Sequence, residues 1–227
     1  MPINKLFSSI IRARMYGVNS MKGNPIVAQH KVFKKLVQAL RKTKYGKEHH
    51  LHTFSDSISE SVFRAQLPIS TYDDIKPWIF RAREGEMDVL WPGEVSWFAK
   101  TSGTTTDRSK VLPVTNESLH SNHFKGGRDL LAMFCEEKSK AKLYTGKHLI
   151  IGGSSALHPS RSGSYTGDLS AIIINNLPFW VESRRTPSRD VAMLEDWEKK
   201  VELIAEGVID QDVRILAGIP SWMLVVV

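Results

Sequence analysis

The chain reads as an α/β protein with mixed sheets flanked by helices. Amphipathic helical stretches alternate with short apolar runs such as HLIIGG and VRILAG, the order expected of strands separated by helices. Hydrophobic residues make up 41% and charged residues 24% of the 227 residues, which suits a buried core rather than disorder. No internal repeat or low-complexity segment interrupts this order, and the length fits one large domain or two small ones.

Residues 1–17, MPINKLFSSIIRARMYG, mix charge with apolar residues and lack the ordered regions of a signal peptide. Leu6, Ile10, Ile11 and Met15 share one side of a helix. Docking on the chain's own core is a simpler reading of that side than a membrane anchor. Residues 25–44 place Val32, Leu36, Val37 and Leu40 at helical spacing, with Pro25 suited to the first turn and Gly46 to the stop. The basic run from Lys31 to Lys47 is read as that helix's solvated face. His49, His50 and His52 follow in a polar link, at a spacing unlike that of a zinc site.

Residues 70–83, STYDDIKPWIFRAR, predict a capped helix. Ser70 and Thr71 are candidate caps, Asp73 and Asp74 suit the positive first turn, and Pro77 limits or kinks it. MDVLWPGEVSWFAK predicts a hairpin around Pro92-Gly93. Residues 116–135 return to helix through Leu119, Phe124, Leu130, Leu131 and Phe134, with Gly126-Gly127 weakening the middle. HLIIGG predicts a strand, and LSAIIINNLPFW a second with Ile172, Ile173 and Ile174 central. Residues 188–208 predict one helix carrying Val191, Leu194, Trp197, Val201 and Ile204, and VRILAG a third strand.

Lys+Arg is 31 and Asp+Glu 24, a net charge of +7 that suits an anionic ligand. No nucleic-acid module accompanies it, so nucleic acid is not an expected partner. Cys135 is the one cysteine, which excludes an internal disulfide and points to a reducing compartment, the cytoplasm. No stretch approaches the ~18 apolar residues of a membrane span. No set of His, Cys or carboxylate residues predicts a metal site, and the oligomeric state is left open.

Residues 98–113 read FAKTSGTTTDRSKVLP. A phosphate needs inward backbone N–H groups, hydroxyl donors and a cation. Gly103 permits close approach, Ser102, Thr104 and Thr105 offer hydroxyls, and Lys110 offers a mobile positive charge. The Walker A pattern fails, because Lys110 follows Ser109 and precedes Val111. The competing reading is an exposed Ser/Thr turn, with Lys110 in a salt bridge. Elsewhere, Ser154, Ser155 and Trp222 are candidates for a substrate pocket, although Trp222 reads equally as core. SRSGSYTG, with Arg161, imitates a phosphate loop or is an ordinary connection. Asp168 reads as a cap or a ligand contact, with capping the simpler, Arg184 and Arg185 as exposed or near a substrate carboxylate, with exposure the simpler, and Cys135 as buried packing.

TSGTTTDRSKVLP resembles the phosphate-binding motif of acyl-adenylating enzymes. Taken with LPISTYDDIKPWI, GDLSA at 167–171 and DVRILAGIPSWML, the chain resembles the GH3 auxin-responsive family of acyl-acid amido synthetases over roughly residues 30–227. The resemblance implies ATP-dependent activation of a carboxylic acid as an acyl-adenylate, with Mg2+, and amide formation with an amino acid. It assigns phosphate binding to Thr101, Ser102, Gly103, Thr104, Thr105 and Lys110, with Lys110 the catalytic cation. Thr106-Asp107 departs from the pattern where glycine is common. With the apolar ending MLVVV, the resemblance implies that residues 1–227 are an incomplete N-terminal adenylating domain. Residues 1–45 would be its helical N-terminal region, the C-terminal domain would be absent, and the piece would be inactive alone. Alternatives are an acyl-CoA or other carboxylate ligase, and a non-catalytic basic interaction domain.

Overall fold

The computed structural model describes residues 2–54, 58–101, 109–153 and 157–226. In chain order it contains helices α1 (Pro2–Arg12), α2 (Met15–Gly23), α3 (Pro25–Leu40), α4 (Lys44–Glu48), α5 (Glu60–Gln66) and α6 (Tyr72–Arg83). Strands β1 (Trp97–Lys100) and β2 (Val111–Val114) follow, then α7 (Asn116–Ser118), a π-helical turn at Leu119–His123, and α8 (Phe124–Glu137). Next come β3 (Lys147–Ile151), β4 (His158–Pro159), β5 (Tyr165–Gly167), α9 (Leu169–Asn175) and α10 (Phe179–Glu182). The chain continues through β6 (Arg185–Thr186), α11 (Arg189–Ala192), α12 (Trp197–Val208), β7 (Val213–Gly218) and α13 (Pro220–Val226).

These elements form two compact units. One comprises Met1–Val18, Leu119–Leu157 and Gly167–Val227, and the other Asn19–Ser118 with His158–Thr166. The first is built on a parallel sheet in the order β6-β3-β7. β3 alternates its faces, as a strand must. Leu149 and Ile151 pack with Ile204 of α12, while His148 and Ile150 face a cavity beside α8. The amphipathic α1 docks within this unit, though not by the whole side its pattern predicts: Ile11 and Met15 face the core, while Leu6 and Ile10 are exposed. Ile11 packs with Ala132, Cys135, Leu143 and Tyr144, and Phe7 stacks on Tyr144 at 4.8 Å. Arg12–Glu136 and Arg14–Asp129 ion pairs, at 2.7 and 2.6 Å, fix its register.

The second unit carries the sheet β2-β1-β5-β4. Ile79, Ala82, Val89, Val95 and Phe98 form its core under α6. Asp74 sets the start of α6 by accepting from both the backbone N–H and the hydroxyl of Thr71, each at 2.7 Å, which holds its carboxyl below the ordinary value. The helix runs on through Pro77.

Several sequence expectations are corrected. There is no hairpin around Pro92-Gly93. That segment is a loop closed by Asp88, whose carboxylate accepts from the Gly93 N–H at 2.7 Å, with Gly93 at φ 86°. The hairpin is instead β1 with β2, pairing Trp97 with Val114 and Lys100 with Val111 across the Ser/Thr loop. Ile172–Ile174 lie in helix α9, where Asp168 stands at the N-cap and Ala171, Ile172 and Ile174 are buried, so packing overrides their β-branched preference. The expected helix 188–208 is two, α11 and α12, divided where Asp196 caps α12 by accepting from the Lys199 N–H at 3.1 Å. The first long helix stops at Leu40, and Gly46 belongs to α4 rather than to a stop signal.

Candidate functional site

The loop after β1 is closed by residues the sequence singles out. The Thr101 N–H donates to the Lys110 carbonyl at 2.9 Å, and the Lys110 N–H donates to Thr101 Oγ1 at 3.0 Å. Thr101 and Lys110 therefore form a neck. Ser102, Gly103, Thr104 and Thr105 lie outside the described residues. The neck is braced by Tyr72 of α6, whose hydroxyl accepts from the Val111 N–H at 3.0 Å and lies 3.3 Å from the Val111 carbonyl. The Lys110 ammonium stands 5.3 Å from the centre of the Tyr72 ring, in cation–π range. Tyr72, Lys76, Phe80, Ser109 and Lys110 line an open groove of about 550 Å³. Lys76 adds a second positive charge there. Nothing in the sequence sets Tyr72 or Lys76 apart from their neighbours, beyond their membership of the STYDDIK stretch.

The first unit has a cavity of about 270 Å³ between α8 and the sheet. Its walls are largely apolar: Phe124, Leu131, Ile150, Trp180 and Ile215. Three groups break that character: His123, Arg128 and His148. Arg128 lines it, and its buried Nε has no hydrogen-bond partner among the described residues. His148 is buried, with Nε2 3.2 Å from the Leu143 carbonyl, and desolvation pushes its imidazole below the ordinary value. Gly127 also lines the cavity, so the paired glycines that weaken the helix leave room beside it. A cavity of this kind holds an apolar body and offers one guanidinium to an anion.

The other candidates fall elsewhere. Ser154 and Ser155 lie outside the described residues. Trp222 sits in the α12–α13 core, its ring 5.4 Å from that of Trp197. The serines of SRSGSYTG are taken up by structure. The Ser162 and Ser164 hydroxyls donate to the Arg83 carbonyl at 2.6 and 3.0 Å, and Ser160 bridges them at 2.7 and 2.8 Å. Arg185, expected at the surface, is buried and held by Glu182 at 2.6 Å. Asp168 occupies the N-cap position of α9. Cys135 is buried, as expected. No helix among the described residues is long and apolar enough to cross a membrane.

Residues 14–225 match the GH3 family N-terminal domain. Among curated relatives, the indole-3-acetic acid-amido synthetase GH3.2 of Arabidopsis thaliana is 29% identical over 103 residues, which are 45% of this chain and 18% of that protein. The 4-substituted benzoates-glutamate ligase GH3.12 of the same plant is 25% identical over 155 residues, 60% of this chain and 25% of that one. The chain thus spans about a quarter or less of these relatives. Its fold matches the solved GH3.15 acyl acid amido synthetase with a TM-score of 0.73 at 20% identity, over 95% of this chain and 38% of that one. Over nearly its whole length, then, the chain belongs to the GH3 family.

Proposed function

We propose that the chain supplies the phosphate-gripping and acid-binding parts of an ATP-dependent acyl-acid amido synthetase. The overall reaction is activation of a carboxylic acid as an acyl-adenylate, followed by amide formation with an amino acid. Three kinds of support converge: family membership, a curated relative named as an acid–amino acid ligase, and the groove beside the loop neck. The observation that carries the reading is the neck itself. The Thr101–Lys110 pair closes a Ser/Thr/Gly run and holds a lysine beside an open groove lined by Lys76 and Lys110, with Asp73 at its wall.

ATP enters as its Mg2+ complex. Lys110 and Lys76 offset phosphate charge, and the hydroxyls and amides of residues 101–105 donate to phosphate oxygens. The acid's carboxylate oxygen attacks the α-phosphorus and pyrophosphate leaves. That step gathers negative charge where fixed donors and cations lower the barrier most. The amine then attacks the acyl carbon and AMP leaves. We assign the acid's apolar body to the cavity beside α8, with Arg128 as its carboxylate partner. A single cysteine, which leaves no internal disulfide to form, suits a reducing, ATP-rich compartment, the cytoplasm.

The test begins with titration of MgATP into residues 1–227. Lys110→Ala is expected to weaken binding by about tenfold or more, as loss of a charge-assisted phosphate contact does. Pyrophosphate release is then measured in a longer chain carrying this segment. Release that needs a carboxylic acid, with product formed from an amino acid and not from coenzyme A, is the expected result. Equal ATP affinity in the Lys110→Ala protein removes Lys110 from the site.

A further inference from the structure

Lys200 lies on α12, at the heart of the first unit, and its side chain is fully buried. Its ammonium donates to the carbonyl of Gly153 at 2.7 Å. The Gly153 N–H donates in turn to Ser170 Oγ at 3.2 Å. Side chains thus hold both backbone groups of Gly153, two residues beyond the end of β3. The position admits no side chain either. A Cβ on Gly153 would lie 2.9 Å from a Trp222 ring carbon and 3.1 Å from Asp168 Oδ2.

Packing alone does not call for a lysine here. Its helical neighbours Trp197 and Ile204 are apolar and join the same core. Burial pushes the Lys200 ammonium below its ordinary value, with the Asp168 carboxylate acting the other way. An apolar residue of similar volume would pack without that desolvation cost. What it would not do is fix a carbonyl. β3 connects this point to the cavity. His148 and Ile150 line the cavity on one face, Leu149 and Ile151 face α12 on the other, and Gly153 is pinned just beyond.

We infer that Lys200 is a positioning residue for the acid-binding cavity: it pins the carboxyl end of β3 from the opposite face and so holds the cavity's floor in place. This rests on the assignment of that cavity to the acid. Lys200 touches no reactant in this role.

The test is Lys200→Met in a full-length protein carrying this segment. The melting temperature is expected to stay level or rise. Hydrogen exchange at the Gly153 amide is expected to accelerate about tenfold, since opening there no longer breaks the pin. The KM for the acid is expected to rise about tenfold, with that for ATP within about twofold, because displaced walls weaken positioning locally. An unchanged Gly153 exchange rate with an unchanged acid KM overturns the inference. So does a lower melting temperature with both KM values rising together, the mark of a merely structural lysine. Should Lys200→Met fail to fold, Ser170→Ala frees only the amide side of the pin and must shift the same two readouts in the same direction. A wild-type protein that binds no carboxylic acid overturns the functional reading, and Lys200's role in that site with it. Faster Gly153 exchange in the variant would then still establish the pin.

Discussion

Gly46 and Gly126 provide a test in which one substitution, glycine to alanine inside a helix, has opposite signs at two positions. At Gly46 a Cβ would sit 1.9 Å from the Leu40 carbonyl oxygen and 2.8 Å from its carbon. That carbonyl is already engaged by the Thr43 hydroxyl at 2.7 Å, and Thr43 Oγ1 caps α4 by accepting from the Gly46 N–H at 2.9 Å. The obstacle is backbone, so relief requires moving the chain and disturbing the cap. Overpacking of this kind costs about 3 kcal/mol. Cap loss adds about 1 kcal/mol, and alanine's helix propensity returns about 1 kcal/mol. The net of about 3 kcal/mol lowers the melting temperature by roughly 6–12 °C for a chain of this size. At Gly126, in α8, nothing lies within 4 Å of the added methyl. Alanine there gains about 1 kcal/mol of helix propensity, or roughly 2–4 °C. Circular dichroism melts of the two variants decide the matter. A Gly46→Ala protein melting with the wild type, or a Gly126→Ala protein melting below it, refutes the reasoning.

Glu86 accepts from Arg81 at 2.7 and 2.8 Å and from Lys44 at 2.7 Å, which holds its carboxyl down from 4.5 to about 2. The folded value lies below the unfolded one, so its contribution is present above pH 4.5 and is lost as the pH falls toward about 2. Glu86→Gln is expected to flatten acid unfolding in that window, and an unchanged slope by circular dichroism contradicts it. Burial pushes the Cys135 thiol above its ordinary value, so a thiol reagent at neutral pH is expected to label it only as urea unfolds the protein. Labelling of the folded chain at the unfolded rate would rule that out. Replacing Ser162 and Ser164 together by alanine removes two donors from the Arg83 carbonyl. The expected cost is about 2 kcal/mol in urea titrations, and a loss under about 0.5 kcal/mol would mean the hydroxyls contribute little.

The capped helix α6 was legible best of all, because period and capping chemistry are local; α1 was legible as a helix, but Leu6 and Ile10 of its expected inward side are exposed. Isoleucine at 172–174 was not legible, since burial of Ile172 and Ile174 in helix α9 overrides β-branched preference. Gly46 shows a second limit: its sequence neighbourhood suggests a stop, while the reason for the glycine is a carbonyl six residues back. At the candidate site, Lys110 stood out as the cation after a Ser/Thr/Gly run, while Thr101 came only from the family resemblance. Arg128 and His148 were not legible, because each sits in an ordinary helix or strand pattern and becomes notable only when α8 lies against the sheet. Lys200 was hidden most fully, because a lysine beside Lys199 gives no sign in the sequence that it is buried on the same face as Trp197 and Ile204.

The two compact units are interleaved along the chain, which passes from one to the other between residues 18 and 19, 118 and 119, 157 and 158, and 166 and 167. Neither is a contiguous stretch that a single cut could excise. During synthesis the sheet of the first unit waits for β7, so β3 leaves the ribosome more than sixty residues before a partner that completes it. The second unit can assemble earlier, but its serine hairpin arrives only after β3 has been made. The first unit therefore stays open until β7 has emerged, and the apolar strand β3 is where a chaperone would be needed most.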